Sequence, residues 1–234
     1  MLMAANSKEL HSFVGEASGR IAFPNLFAPE RSMTTSSVEE ALAACESIFR
    51  YTRTEIELGR IFMDDELRLS YNGGYYKLTE KAFDDLCKLF SIPVKFAKDI
   101  PTDLIEKIVN RLRDFHQETI VLIHRDEVVV GLISPQKWLH SRAKKHRPHY
   151  MPVTNLQVLQ MIQKVWSKQQ DIQIILSDSG IKVDVISPEL SIEPKVGDIT
   201  NLGITVISSE TGGPMPQARG FALRLICKNG TILP

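Results

Sequence analysis

The strongest constraint on the fold is a repeated pattern in which short, β-branched runs flank turn-forming residues. Such a pattern is typical of β-hairpins, in which two antiparallel strands are joined by a tight turn. Three turn signals of this kind occur in the chain: Asn72-Gly73, Arg125-Asp126 and Ser177-Asp178-Ser179-Gly180. Further strands are predicted from alternating or β-branched residues at about 55–63, 66–69, 198–208 and 220–227. Strands that pair with sequence neighbours predict a mainly antiparallel sheet.

Helices are predicted where apolar residues recur at helical spacing. The predicted segments are about 37–50, 80–91, 101–115 and 155–166. Ser36 has capping-box spacing to Glu39, Thr79 precedes the second helix, and Thr154 or Asn155 can cap the fourth. In the third helix one apolar face is predicted to contain Leu104, Ile105, Ile108, Leu112 and Phe115. No glycine-rich nucleotide-binding turn joins a strand to a helix. We therefore expect the α+β class, with a mainly antiparallel sheet built from hairpins and helices on one face.

The predicted domain organisation is an arm followed by one domain. Residues 1–35 show no sustained period and contain Gly15, Gly19, Pro24 and Pro29, so we interpret them as an extended N-terminal arm that lies on the body or on a neighbouring subunit of a homo-oligomer. Residues 36–234 are predicted to form a single α+β domain. A chain of 234 residues with 43% hydrophobic residues can bury a sizeable core.

Composition also bears on the compartment. No apolar run approaches the roughly 20 residues that a membrane helix needs, and the first residues lack the basic-then-apolar order of a signal peptide. Cys45, Cys87 and Cys227 are odd in number and lie in apolar surroundings, which favours buried structural thiols over disulfides or a zinc site. These features predict a cytoplasmic protein with no membrane partner.

The neutral total charge hides an uneven distribution. The chain has 28 Lys and Arg residues against 28 Asp and Glu residues, yet residues 128–170 contain no acid and carry a formal charge of +7. The rest of the chain therefore carries −7. The cations are densest in Lys137–Tyr150, which we call the basic segment.

The basic segment has the composition of a nucleic-acid contact. Cations can pair with phosphates, and aromatic rings can stack on unpaired bases. Together with Arg224, the predicted nucleic-acid-binding residues are Lys137, Trp138, Arg142, Lys144, Lys145, Arg147 and Tyr150. Two other interpretations stay open: a solvated loop, and a surface that binds an acidic protein.

Several C-terminal motifs resemble a phage- and plasmid-borne family named domain of unknown function nine hundred and thirty-two. The motifs are Ser209-Glu210-Thr211-Gly212 and Arg224-Leu225-Ile226-Cys227-Lys228-Asn229-Gly230, and blocks around Tyr76–Cys87, Ile92–Leu104 and Gly131–Asn155 are similar in the same order. The resemblance covers about residues 70–234. It implies a phage or plasmid-type mobile element and a bacterial or phage-infected host cell, but no catalytic residues. The family's domain usually continues after its Asn-Gly element, so the resemblance also implies a truncated or trimmed member.

Other candidate sites have simpler interpretations. Arg224 can clamp a phosphate, or it can pair with Asp198 or Glu210. The glycine-rich stretch around Ser208–Thr211 favours a strand-connecting bend over a phosphate cradle. His140, His146 and His149 match no zinc-ligand spacing, so we predict no metal and no other cofactor. The acid clusters Asp64–Glu66 and Glu39–Glu40 fit turns and helix caps, and we assign no catalytic residue.

The sequence thus predicts a non-enzymatic nucleic-acid-binding protein, with single-stranded DNA as one candidate ligand. Two alternatives remain. The first is a protein-interaction module or inhibitor that binds an acidic host or viral partner, and the second is a hydrolase that depends on a metal or an acid–base pair.

Overall fold

The computed structural model describes residues 26–134, 153–165, 171–193, 200–213, 216–224 and 231–233. Within these residues the chain forms two six-stranded sheets and five α-helices, which confirms the α+β class. In chain order the elements are β1 Ser32–Thr35, α1 Val38–Glu46, β2 Thr52–Glu57, β3 Phe62–Met63, β4 Leu69–Tyr71, β5 Gly74–Leu78, α2 Glu80–Leu89, α3 Val94–Asp99, α4 Thr102–Leu112, β6 Thr119–Arg125, β7 Val128–Ile133, α5 Asn155–Val165, β8 Asp171–Ser177, β9 Gly180–Ile192, β10 Thr200–Ser208, β11 Gln217–Arg224 and β12 Thr231–Leu233.

The first sheet has the strand order β2-β6-β7-β5-β4-β3. Neighbouring strands of this sheet are antiparallel, with the exception of β5 and β7. These two strands are parallel, and the long crossover that parallel pairing requires contains the helices α2 to α4 and the strand β6. The apolar faces of α2 and α4 pack with this sheet in the larger core, whose fully buried side chains include Phe83, Leu86, Ile105 and Ile120. A smaller apolar cluster contains Ile123, Val130 and Ile133, which alternate with core residues along β6 and β7.

The second sheet has the strand order β1-β8-β9-β10-β11-β12 and is antiparallel throughout. Helices α1 and α5 contribute to its core with the side chains of Ala41, Leu159 and Ile162. On the strands, the buried residues of this core lie on β8 and β9, namely Ile174, Leu176, Ile181, Val183 and Val185. The sequence predicted one antiparallel sheet, whereas the described residues form two sheets with separate cores.

The three predicted hairpins are present. Asn72 and Gly73 both adopt positive φ angles, of 48° and 80°, as a two-residue hairpin turn between β4 and β5 requires. The turn between β6 and β7 is Asp126-Glu127, one residue later than the predicted Arg125-Asp126, and Asp126 has a φ of 49°. Asp178-Ser179 connects β8 to β9. Local turn chemistry therefore identified these strand pairs correctly.

The helix starts follow the predicted capping chemistry with one shift. Thr79 caps α2, because its Oγ1 accepts a hydrogen bond from the backbone N–H of Ala82. Ser37, and not Ser36, caps α1 by accepting from the N–H of Glu40. At α5, Thr154 Oγ1 accepts from the Gln157 N–H while Gln157 Oε1 accepts from the Thr154 N–H, which is a reciprocal capping box.

The structure departs from the predicted elements at four places. Residues 32–35, assigned to the arm, form strand β1 beside β8. A 3-10 turn at Leu58–Arg60 interrupts the predicted strand 55–63. Residues between the second and third predicted helices form α3. On α4, Ile105, Ile108 and Leu112 of the predicted apolar face are buried in the larger core or packed against it. Leu104 is exposed, however, and so is Phe115, which lies in the 3-10 turn that follows.

The two cysteines in the described residues are buried thiols, as predicted. Cys45 and Cys87 are buried and free. Burial raises the pKa of both thiols to about 12, which keeps them protonated and poorly reactive. Cys227 lies outside the described residues.

Candidate functional site

The predicted nucleic-acid-binding residues fall almost entirely outside the described residues. This holds for Lys137, Trp138, Arg142, Lys144, Lys145, Arg147 and Tyr150, and also for His140, His146 and His149. Arg224 is the last residue of β11, where its backbone pairs with Thr200 and Thr231. The site is therefore built from the described residues that precede and follow the basic segment in the sequence.

The described residues that flank the basic segment on its two sides both contact one loop. We call Ser208, the last residue of β10, and residues 209–213, which follow it, the junction loop. On the upstream side, β7 ends at Ile133 and Ser134 is buried. A β-carbon placed on Gly212 would lie 3.1 Å from Ile133 Cγ1, so the loop contacts the end of β7 directly. On the downstream side, the backbone N–H of Asn155 points at the Glu210 carboxylate, with a distance of 3.4 Å to Oε1.

The junction loop is buried and bonded internally. Ser208, Ser209, Glu210 and Thr211 are all buried. The Ser209 hydroxyl donates to the Ser179 carbonyl at 2.6 Å and accepts from the N–H groups of Gly213 and Thr211, at 2.9 Å and 3.3 Å. Because these two N–H groups already have an acceptor inside the loop, they are not available to a phosphate. The structure thus agrees with the strand-connecting bend that the sequence favoured over a phosphate cradle.

A glycine of β7 lets the junction loop approach the first sheet. A β-carbon on Gly131 would lie 2.2 Å from the Thr211 carbonyl oxygen, well inside van der Waals contact. From the helix side of this sheet, Lys81 Nζ donates to the same Thr211 carbonyl at 2.6 Å and to Asp85 at 2.6 Å. The junction loop is therefore attached to the strand β7 of the first sheet and to the helix α2 that packs on this sheet.

A buried ion pair joins two hairpin turns at the same junction. Arg125, at the end of β6, donates through Nη2 to Asp178 Oδ2 at 3.0 Å and through Nε to Oδ1 at 3.3 Å. The side chains are only 8% and 1% exposed. The Asp178 carboxylate also accepts from the Arg31 N–H at 2.8 Å and from the Tyr51 hydroxyl at 3.2 Å. Multiple donors therefore compensate the desolvation of this carboxylate.

The Asp178 carboxylate also affects the phenol that contacts it. Burial raises the pKa of Tyr51, and the nearby charges of Asp178 and Glu210 raise it further. Tyr51 therefore stays protonated and acts as a hydrogen-bond donor. The Tyr51 ring packs against two apolar clusters, the core of the second sheet and the smaller cluster on β6 and β7, while its hydroxyl bonds to Asp178.

A second ion pair involves Glu210 of the junction loop. Arg53 Nη2 on β2 donates to Glu210 Oε2 at 3.1 Å. Burial raises the pKa of Glu210, while Arg53 and the Asn155 N–H act in the opposite direction. Glu210 was one of two predicted partners of Arg224, but Arg53 occupies that role in the described part of the chain. The other predicted partner, Asp198, lies outside it.

The remaining candidate clusters have structural partners. Asp64 accepts from Arg68 and from two backbone N–H groups of its turn. Glu40 contacts the Thr35 hydroxyl next to the α1 cap. Among the described residues, no group of three or more His, Cys, Asp or Glu side chains is arranged to hold a metal ion. No helix in the described ranges combines the length and apolar composition needed to cross a bilayer.

Comparisons with protein-family models, with curated proteins and with solved structures find no match for this chain. The resemblance drawn from the C-terminal motifs therefore stays a prediction. The junction residues Arg53, Arg125 and Asp178 had no sequence signal as a group, because each lies in a segment that fits an ordinary strand or turn. Arg125 and Asp178 were identified only as turn residues, and Glu210 only as part of the Ser-Glu-x-Gly motif and as a possible partner of Arg224.

Proposed function

We propose that this chain is a non-enzymatic nucleic-acid-binding protein of a phage or plasmid-type mobile element, with phosphates bound by the basic segment. The observation that carries the proposal is the charge distribution. Residues 128–170 carry +7 without a single acid, and five of those cations lie in Lys137–Arg147. A segment that needed only solubility would have no reason to exclude carboxylates.

The negative charge of the rest of the chain means that nucleic-acid binding depends on the basic segment. Outside residues 128–170 the chain carries −7, so the electrostatic field of that part of the chain repels a polyanion. Binding to nucleic acid then requires that the cations act together on phosphates close by, within about one Debye length of 8–10 Å. Removing these cations should abolish binding rather than weaken it slightly.

The anchoring of the segment supports the proposal in a second way. The junction loop contacts Ile133 at one end and Asn155 at the other, and the Thr154 capping box fixes the start of α5. A segment whose flanking residues are fixed has less conformational entropy to lose when it binds a ligand. The resemblance to domain of unknown function nine hundred and thirty-two supports the mobile-element context.

The test compares two variants from which the same charge is removed. The first is R142A/K144A/K145A/R147A. The control is R60A/K88A/K107A/K182A, whose cations are exposed and lie outside the acid-free stretch. Fluorescence anisotropy with labelled oligo-dT should show that the first variant loses binding at least about tenfold more than the control. For the wild-type chain, log affinity should fall with log salt concentration at a slope of about −3, which is −0.7 for each of four phosphate contacts.

Three outcomes would contradict the proposal. Equal losses in the two variants would show that only the total charge matters. Salt-insensitive binding would exclude phosphate contacts as the main interaction. Absence of retained nucleic acid in a freshly purified chain, together with direct binding to an acidic protein through the same four cations, would replace the proposal with the interaction-module alternative.

A further inference from the structure

We draw no further inference here: the strongest candidate, the exposed face of β3 to β5 on which Phe62 and Tyr75 lie on the same side of the first sheet, carries none because nothing among the described residues shows what partner covers it.

Discussion

At the scale of single residues, Gly131 shows how the absence of a side chain positions the candidate site. The Thr211 carbonyl lies where a β-carbon on residue 131 would be, at 2.2 Å, and the contact is with backbone, which cannot rotate away. The junction loop and β7 are therefore adjacent only because residue 131 is glycine. Any larger residue there must move the loop or the strand.

We expect Gly131→Ala to lower the free energy of unfolding by about 1–3 kcal/mol, the usual range for overpacking a close contact. Gly220→Ala is the matched control, because the nearest atom to its added β-carbon is the Gly203 carbonyl oxygen at 4.0 Å. The control should change stability by no more than about 0.5 kcal/mol. Urea denaturation of both variants measures the difference, and similar values for the two would exclude the close contact as the cause.

At the scale of elements, the two sheets meet at two hairpin turns that carry opposite charges. Arg125 stands at the turn between β6 and β7, and Asp178 at the turn between β8 and β9. Polar residues at a hairpin turn normally suit exposure to water, and the sequence accordingly gave no sign that these two are buried together. Their pairing depends on how the two sheets are placed, which is information that no local pattern contains.

Removing one member of this pair should be costly. We expect Asp178→Ala to lower the free energy of unfolding by about 3–5 kcal/mol, because Arg125 is left as an uncompensated buried charge. The exposed pair of Asp103 and Lys107 provides the control, and Asp103→Ala should cost less than about 1 kcal/mol. The double variant R125M/D178L should regain much of the loss, since no buried charge remains. A double variant as unstable as D178A alone would argue that the other hydrogen bonds of Asp178 matter more than the ion pair.

At the scale of the whole molecule, features that depend on residues close together in sequence were predicted, and features that depend on distant residues were not. Turn residues and helix caps act over a few positions, and for that reason the signals at Asn72-Gly73 and Thr79 identified their elements. The assignment of the twelve strands to two sheets, and of β1 and β12 to the same sheet, depends on pairings across the chain. The burial of Glu210 depends on contacts with Arg53 and Asn155, which lie 157 and 55 residues away.

The stability of the whole molecule should depend on pH through Glu210. Burial raises the pKa of this carboxyl above its ordinary value of 4.5, so the folded state binds its proton more tightly than the unfolded state does. The wild-type chain should therefore lose stability, relative to Glu210→Gln, as the pH rises through 4.5 and through the higher folded pKa. Above that pKa the difference should stay constant.

Urea denaturation of both chains between about pH 4 and pH 8 measures this difference, and the titration of other carboxyls, including Glu30, whose pKa burial also raises, largely cancels in the comparison. The sign of the difference separates two physical effects. If desolvation dominates, the wild-type chain becomes the less stable of the two as Glu210 ionises. If instead the wild-type chain gains stability over Glu210→Gln with rising pH, the attraction of Arg53 outweighs burial, and the junction is held together by charge at neutral pH.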